Sequence, residues 1–214
     1  MTALLNRPKD EKERQLCDAV GAIRAARFVR RYAKTNKPIN LDAVLAIQRE
    51  IFKDWWPEIA GKLRQEEVKL WHSKHRPPHF SRVPTYMFQF ERWLIEKLSS
   101  IDSTSLLSKD RKISVEEFVK IIGIAAEAHH EISWIHPFRD GNGRTARLLA
   151  NLIFQRYGLW GISSQIEREN KEEYLKALSQ IDDFDDYEPL MNMMADGLVE
   201  RAQKEPGFKP FNRG

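Results

Sequence analysis

The chain has 214 residues, a hydrophobic fraction of 42% and a charged fraction of 31%, with a net charge of +4. That length suits one domain of ordinary size or one domain with a small appendage, and the hydrophobic fraction is enough to build a proper core. The mild positive balance fits attraction to nucleotides or acidic partners and lacks the concentrated cationic stripe of a nucleic-acid binder. The single cysteine, Cys17, excludes an intramolecular disulfide and a thiolate zinc site. No secretory signal and no membrane-length apolar run stands in the sequence, so the expectation is a soluble, cytoplasmic protein.

Helical signals dominate along the chain. Residues 10–34 are charged and Ala-rich, with Leu16, Val20, Ile23 and Phe28 at helical spacing. Asn40 caps LDAVLAIQREIF, whose buried side is drawn from Leu41, Val44, Leu45, Ile47 and Ile51. Pro84 opens TYMFQFERWLIEKL, and proline is tolerated in a first turn. Ser114 and Glu117 form a capping box before FVKIIGIAAEAHHEISW, with a stripe of Phe118, Val119, Ile122, Ala126, His129 and Ile132. Residues 142–157 read as a second core helix closed by Gly158. Asn170 with Glu173 caps NKEEYLKALSQI, and Asp185 or Asp186 begins the last helix. Strand evidence is confined to EEVKLW, 66–71, within the irregular stretch 55–83. The fold class is all-α, with one hairpin or loop on a face.

The chemistry concentrates in HPFRDGNGRTAR, 136–147, between two core helices. Pro137 stiffens the turn and Phe138 anchors it. Gly141 and Gly143 admit backbone geometry closed to other residues and bring free amides to a helix amino terminus, which suits phosphate. Arg144 and Arg147, three residues apart, face one side of that helix and can hold further phosphate oxygens. Asp140 conflicts with an anion site unless a Mg²⁺ ion stands between it and the phosphates. His136, with an unperturbed pKa of about 6.5, is able to accept a proton. Singly, each of these residues has an ordinary structural use. Together in one pinned loop they make a polyphosphate and magnesium site with a general base beside it.

This stretch resembles the signature of Fic-domain proteins, His-Pro-Phe-x-Asp/Glu-Gly-Asn-Gly-Arg-x-x-Arg, at every fixed position. IAGKLR (59–64) is similar to the family's Gly-x-x-Arg entry to a flap hairpin, and YLKALSQIDDFDDYEPLM to the segment after the active-site helix. The resemblance implies a Fic-type helical domain over 40–195, with a helical extension at 1–39, a helix end and tail at 196–214, and a small β-hairpin flap over the active site. It implies that His136 deprotonates a Tyr, Thr or Ser hydroxyl and that Asp140 holds Mg²⁺ against the α- and β-phosphates of ATP. Gly141, Asn142 and Gly143 cradle the phosphates, with Asn142 toward the α-phosphate. Arg144 takes the β-phosphate region and Arg147 the γ-phosphate. The implied reaction is transfer of AMP to a target protein. Relatives that phosphorylate carry lysine at the place of Gly143, which argues against that branch; other nucleotide donors stay open. Val68, Lys69 and Leu70 are the expected target-docking edge of the flap.

His72, His75 and His79 read as a basic exposed loop rather than a zinc cluster, and His129 as a hydrogen-bonded core residue. DDFDDY, 182–187, lacks the glycine and spacing of a calcium loop. Self-restrained relatives carry Ser/Thr-x-x-x-Glu-Gly/Asn on an inhibitory helix. Only Ser163 and Glu167 have that spacing here, and Arg168 follows. The expectation is an unrestrained enzyme, or one silenced by a small antitoxin that supplies a glutamate to Arg147. The other readings are a catalytically silent interaction module that keeps the pocket, and a nucleic-acid binder using the basic stretch 24–37.

Overall fold

The computed structural model describes residues 8–70, 75–101, 113–162 and 171–204, and they are all-α. Helix α1 (Glu11–Ala33) starts at Asp10, whose side chain accepts the Glu13 N–H at 2.8 Å. Helix α2 (Leu41–Phe52) starts at Asn40, which caps Ala43 at 3.1 Å. A 3-10 turn at Phe80–Arg82 leads into α3 (Val83–Ser99), with Pro84 in its first turn. Ser114 accepts the Glu117 N–H and opens α4 (Val115–Ile135). Then follow α5 (Asn142–Arg156), α6 (Lys171–Phe184) and α7 (Glu188–Gln203). Gly158, at φ 82°, ends α5: the Leu159 N–H reaches back to the Phe154 carbonyl at 2.9 Å.

The antiparallel pair α4 and α5 is the centre of the domain, and α1 and α2 cover α5 on one side while α3 and α7 flank α4. Ile121, Ala125, Ile132 and Ile135 of α4 meet Ala146, Leu149, Ile153 and Phe154 of α5, all buried. Burial at roughly 1.5–3 kcal/mol per large side chain makes this interface the stiff base on which the intervening turn stands.

Several expectations meet a different outcome. Helix α1 buries its small residues, Gly21, Ala25, Val29 and Ala33, and turns Leu16, Val20 and Ile23 outward. A Cβ on Gly21 would lie 2.0 Å from the Ile51 carbonyl oxygen, so only glycine lets α1 approach α2 this closely. Likewise Val119 of the expected α4 stripe is exposed, whereas Ile122, Ala126, His129 and Ile132 are buried.

The expected hairpin also differs. Val68, Lys69 and Leu70 lie in irregular chain, and no strand occurs among the described residues. Trp71 and His72 fall outside them. The two arms of this segment are joined by the Arg64 side chain, which donates to the Glu66 carbonyl at 3.0 Å and the Pro78 carbonyl at 2.6 Å. Pro77 and Pro78 have no N–H to give a backbone ladder. The last helix also starts later than Asp185 or Asp186: Asp186 accepts the Glu188 N–H at 3.0 Å, ahead of the first turn.

Candidate active site

The turn between α4 and α5 is pinned by core packing at both ends. His136 ends α4 in the left-handed region, φ 50° and ψ 56°, with its N–H on the Ile132 carbonyl. Phe138 is fully buried beneath the turn. Asn142 then closes it: its Oδ1 accepts the Phe138 N–H at 2.9 Å and its Nδ2 donates to the Phe138 carbonyl at 2.8 Å. The carboxamide is therefore occupied in holding the turn, and what Asn142 offers the pocket is its position at the start of α5.

Gly141 precedes α5 with φ 84°, and no side chain caps that helix. The first-turn amides thus keep donors pointing along the axis, where the dipole favours an anion. A Cβ on Gly141 would sit 2.5 Å from the Phe52 ring, so the turn passes too close to α2 for any other residue. Gln48, fully buried on α2, spans the gap: its Nε2 donates to the Asp140 carbonyl at 3.3 Å and its Oε1 accepts the Gly61 N–H.

His136 Nδ1 faces the Ser133 carbonyl at 3.3 Å. A carbonyl can only accept, so Nδ1 carries the hydrogen and Nε2 presents a lone pair. Burial pushes the imidazole down to about 4; the Ser133 hydrogen bond opposes this, and the positive charge of Arg64 adds to it. His136 is neutral at pH 7 and ready to accept a proton.

An open cavity of about 240 Å³ is lined by His136, Arg139, Asp140, the turn 141–143, Arg144 and Arg147. Arg147 folds back over the first turn, its Nη1 3.4 Å from where a Cβ on Gly143 would lie. Arg144 bonds the Asp18 carboxylate of α1, donates to Asp140 Oδ1 at 3.0 Å, and stacks 4.9 Å from the Phe52 ring centre. Asp140 Oδ1 also accepts the Gly141 N–H, while Oδ2 has Arg14 of α1 at 3.9 Å. The structure thus brings His136, Asp140, Gly141, Asn142, Gly143, Arg144 and Arg147 to one cavity. Val68, Lys69 and Leu70 do not line it.

Three residues around the site have no signal in the motifs, Gln48 and Arg14 and Asp18 of α1, whereas Arg64 is the arginine of the Gly-x-x-Arg stretch 61–64. Gln48 is the one that periodicity flags, being a polar residue on the apolar face of α2 between Val44 and Phe52. His129 is buried on α4 with its Nε2 against the Tyr174 hydroxyl at 3.2 Å, and burial lowers it to about 3. His75 bonds the Trp134 carbonyl and His79 pairs with Glu67, so they face different partners. The Ser163 to Arg168 pattern lies outside the described residues.

Residues 38–154 match the family model described as Fic/DOC family, which spans more than half of the chain. The chain belongs to the Fic/DOC family. A protein adenylyltransferase Fic from Nematostella vectensis is 33% identical over 68% of this chain and 29% of its own length. Protein adenylyltransferase fic-1 from Caenorhabditis briggsae is 29% identical over 92% of this chain and 35% of its own. Among solved structures, Fic-1 (residues 134–508) from C. elegans superposes with a TM-score of 0.67 at 26% identity, covering 94% of this chain and 53% of that one. The chain spans about a third of the length of these curated relatives. No helix among the described residues is long and apolar enough to cross a membrane.

Proposed function

We propose that the chain is a protein adenylyltransferase that moves AMP from ATP onto a Tyr, Thr or Ser hydroxyl of a target protein. The observation that carries this reading is the orientation of His136: Nδ1 is spent on Ser133, which leaves the Nε2 lone pair for a cavity lined by His136 itself, three arginines and an uncapped helix terminus. In this reading the acceptor hydroxyl gives its proton to His136 Nε2 as its oxygen forms a bond to the α-phosphorus. The bond from that phosphorus to the β-bridging oxygen breaks, and pyrophosphate leaves. The α5 amides and Arg144 receive the polyphosphate, and Arg147 the end farthest from the base. Charge neutralisation and in-line placement supply most of the rate, with the base adding about 10²- to 10⁴-fold.

Asp140 fits a magnesium ion. Its Oδ1 is held by Gly141 and Arg144, and Oδ2 has the long approach of Arg14 at 3.9 Å, so this oxygen would be the one to hold a cation whose coordination phosphates complete. Such an ion would neutralise the charge of the departing pyrophosphate. Val68, Lys69 and Leu70 receive the target's extended backbone, and residues 40–195 form the transferase domain in this scheme. A small antitoxin that lends a glutamate to Arg147 is the proposed restraint.

The deciding experiment incubates the protein with α-labelled ATP, Mg²⁺ and cell lysate beside His136→Ala. Label on a protein, lost in the variant, is the expected result. Absence of label with a correctly folded wild type would refute the transferase.

A further inference from the structure

We propose that Arg64 is a positioning residue that couples the target-docking segment to the turn carrying His136. Four backbone carbonyls from two separate pieces of chain converge on its guanidinium. On the catalytic side Nε donates to the His136 carbonyl at 2.7 Å and Nη2 to the Ile135 carbonyl at 3.5 Å. On the docking side Nη1 reaches the Glu66 carbonyl at 3.0 Å and Nη2 the Pro78 carbonyl at 2.6 Å. The Arg64 main-chain N–H adds a fifth tie, to the Pro137 carbonyl at 2.8 Å. Arg64 is 4% exposed, so these bonds are shielded from solvent.

The chemistry selects arginine for this place. Ile135 and His136 are the end of α4, where carbonyls lack helical partners and a cation is favoured. The left-handed turn at His136 directs its carbonyl away from the helix, and the guanidinium meets it there. A planar fork holds its donors at fixed angles, so a displacement of Glu66 or Pro78 is carried to Ile135 and His136 rather than absorbed. An ammonium at position 64 keeps the charge and loses the fork. A further stay on this corner, His75 on the Trp134 carbonyl at 2.8 Å, belongs to the docking arm as well.

The inference rests on the transferase reading of His136 and on residues 66–70 as the part that meets the target. Hydrogen–deuterium exchange of peptides covering 64–70 and 136–144 tests it in wild type, Arg64→Lys, and each with Asn142→Ala, which unfastens the turn from Phe138. In wild type, Asn142→Ala is expected to speed exchange of 64–70 at least threefold, although Asn142 touches none of it. In the Arg64→Lys background the same change is expected to leave 64–70 within about 1.5-fold. Mg-ATP slows both peptides in wild type and only 136–144 in Arg64→Lys. Transfer by Arg64→Lys falls at least tenfold in kcat, with KM for ATP unchanged. If Asn142→Ala leaves 64–70 untouched in wild type, the coupling is wrong, and that result needs no Arg64 variant to fold. If instead Mg-ATP protects nothing at 136–144 while the Asn142→Ala effect is present, the transferase reading fails and the mechanical coupling stands.

Discussion

Among the described residues, two corners place a non-glycine residue in left-handed backbone: His136, φ 50°, between α4 and α5, and Asp185, φ 56°, between α6 and α7. The dihedrals are nearly the same, yet the surroundings are opposite. Asp185 is exposed, and its corner is tied by local bonds, its own N–H to the Ile181 carbonyl and Asp186 to Glu188. At His136 the backbone is gripped from outside by residues remote in sequence, the Arg64 side chain on Ile135 and His136, its main-chain N–H on Pro137, and Gln48 on Asp140, while Asn142 closes the turn on Phe138. Asp is one of the few side chains that enter this conformation at little cost. A bulkier imidazole is held there because the neighbourhood over-determines it. Unusual dihedrals alone therefore say little about function; the investment in buried polar ties does.

The comparison can be broken most forcefully by replacing each corner residue with glycine. His136→Gly is expected to abolish label transfer, a loss of about 10²-fold or more, while leaving the melting temperature unchanged or higher, since the backbone strain of roughly 1 kcal/mol is released. Asp185→Gly should leave transfer intact. Equal activity in the two variants would erase the distinction between the corners. Next in size is Gly141→Ala, which forces a methyl against Phe52 and requires φ 84° of alanine. Urea unfolding should show a loss of about 2–4 kcal/mol. Gln48→Leu strands the Asp140 carbonyl and the Gly61 N–H, and the same measurement should give about 1–3 kcal/mol.

Protonation separates the corners more gently. With His136 lowered to about 4 and His129 to about 3, the folded state binds fewer protons than the unfolded chain below the ordinary histidine pKa of about 6.5. Stability from these two groups is present above that value and drains as pH falls from about 6.5 toward 3; His129→Phe should flatten the lower part of that decline. Transfer in turn should stay level from pH 8 down to about 5, because His136 does not charge in that range. A fall centred near pH 6.5 would contradict the burial argument. Smallest of all, Asp18→Asn releases Arg144 from α1 and should tighten ATP binding by about two- to fivefold, within the range of a partly exposed ion pair.

Much of this was legible in the sequence where the signal was local. The caps at Asn40 and Ser114, the stop at Gly158 and the set from His136 to Arg147 are each written within a few neighbouring residues, and the structure gathers that set into one cavity. The remainder is not local. Arg64 and Gln48 act on carbonyls 72 and 92 positions away, and a backbone carbonyl has no identity in a sequence. The buried face of α1 was misleading for another reason. Hydrophobic periodicity points to Leu16, Val20 and Ile23, whereas close helix contact selected Gly21 and Ala25 for smallness. The stretch 66–71 reads as a strand because Val68 and Leu70 alternate, but Glu66 and Pro78 are joined through the Arg64 side chain.

Gly21 has a reach beyond its own contact. It acts as a shim: the absence of a methyl group sets the gap between α1 and the Ile51 carbonyl, and α1 is the beam that carries Arg14 and Asp18 to the rim of the cavity. Thickening the shim by one carbon tilts the beam, and both charges swing away from Asp140 and Arg144 together. Substitution of a residue that never sees nucleotide would then retune the charge at the pocket mouth.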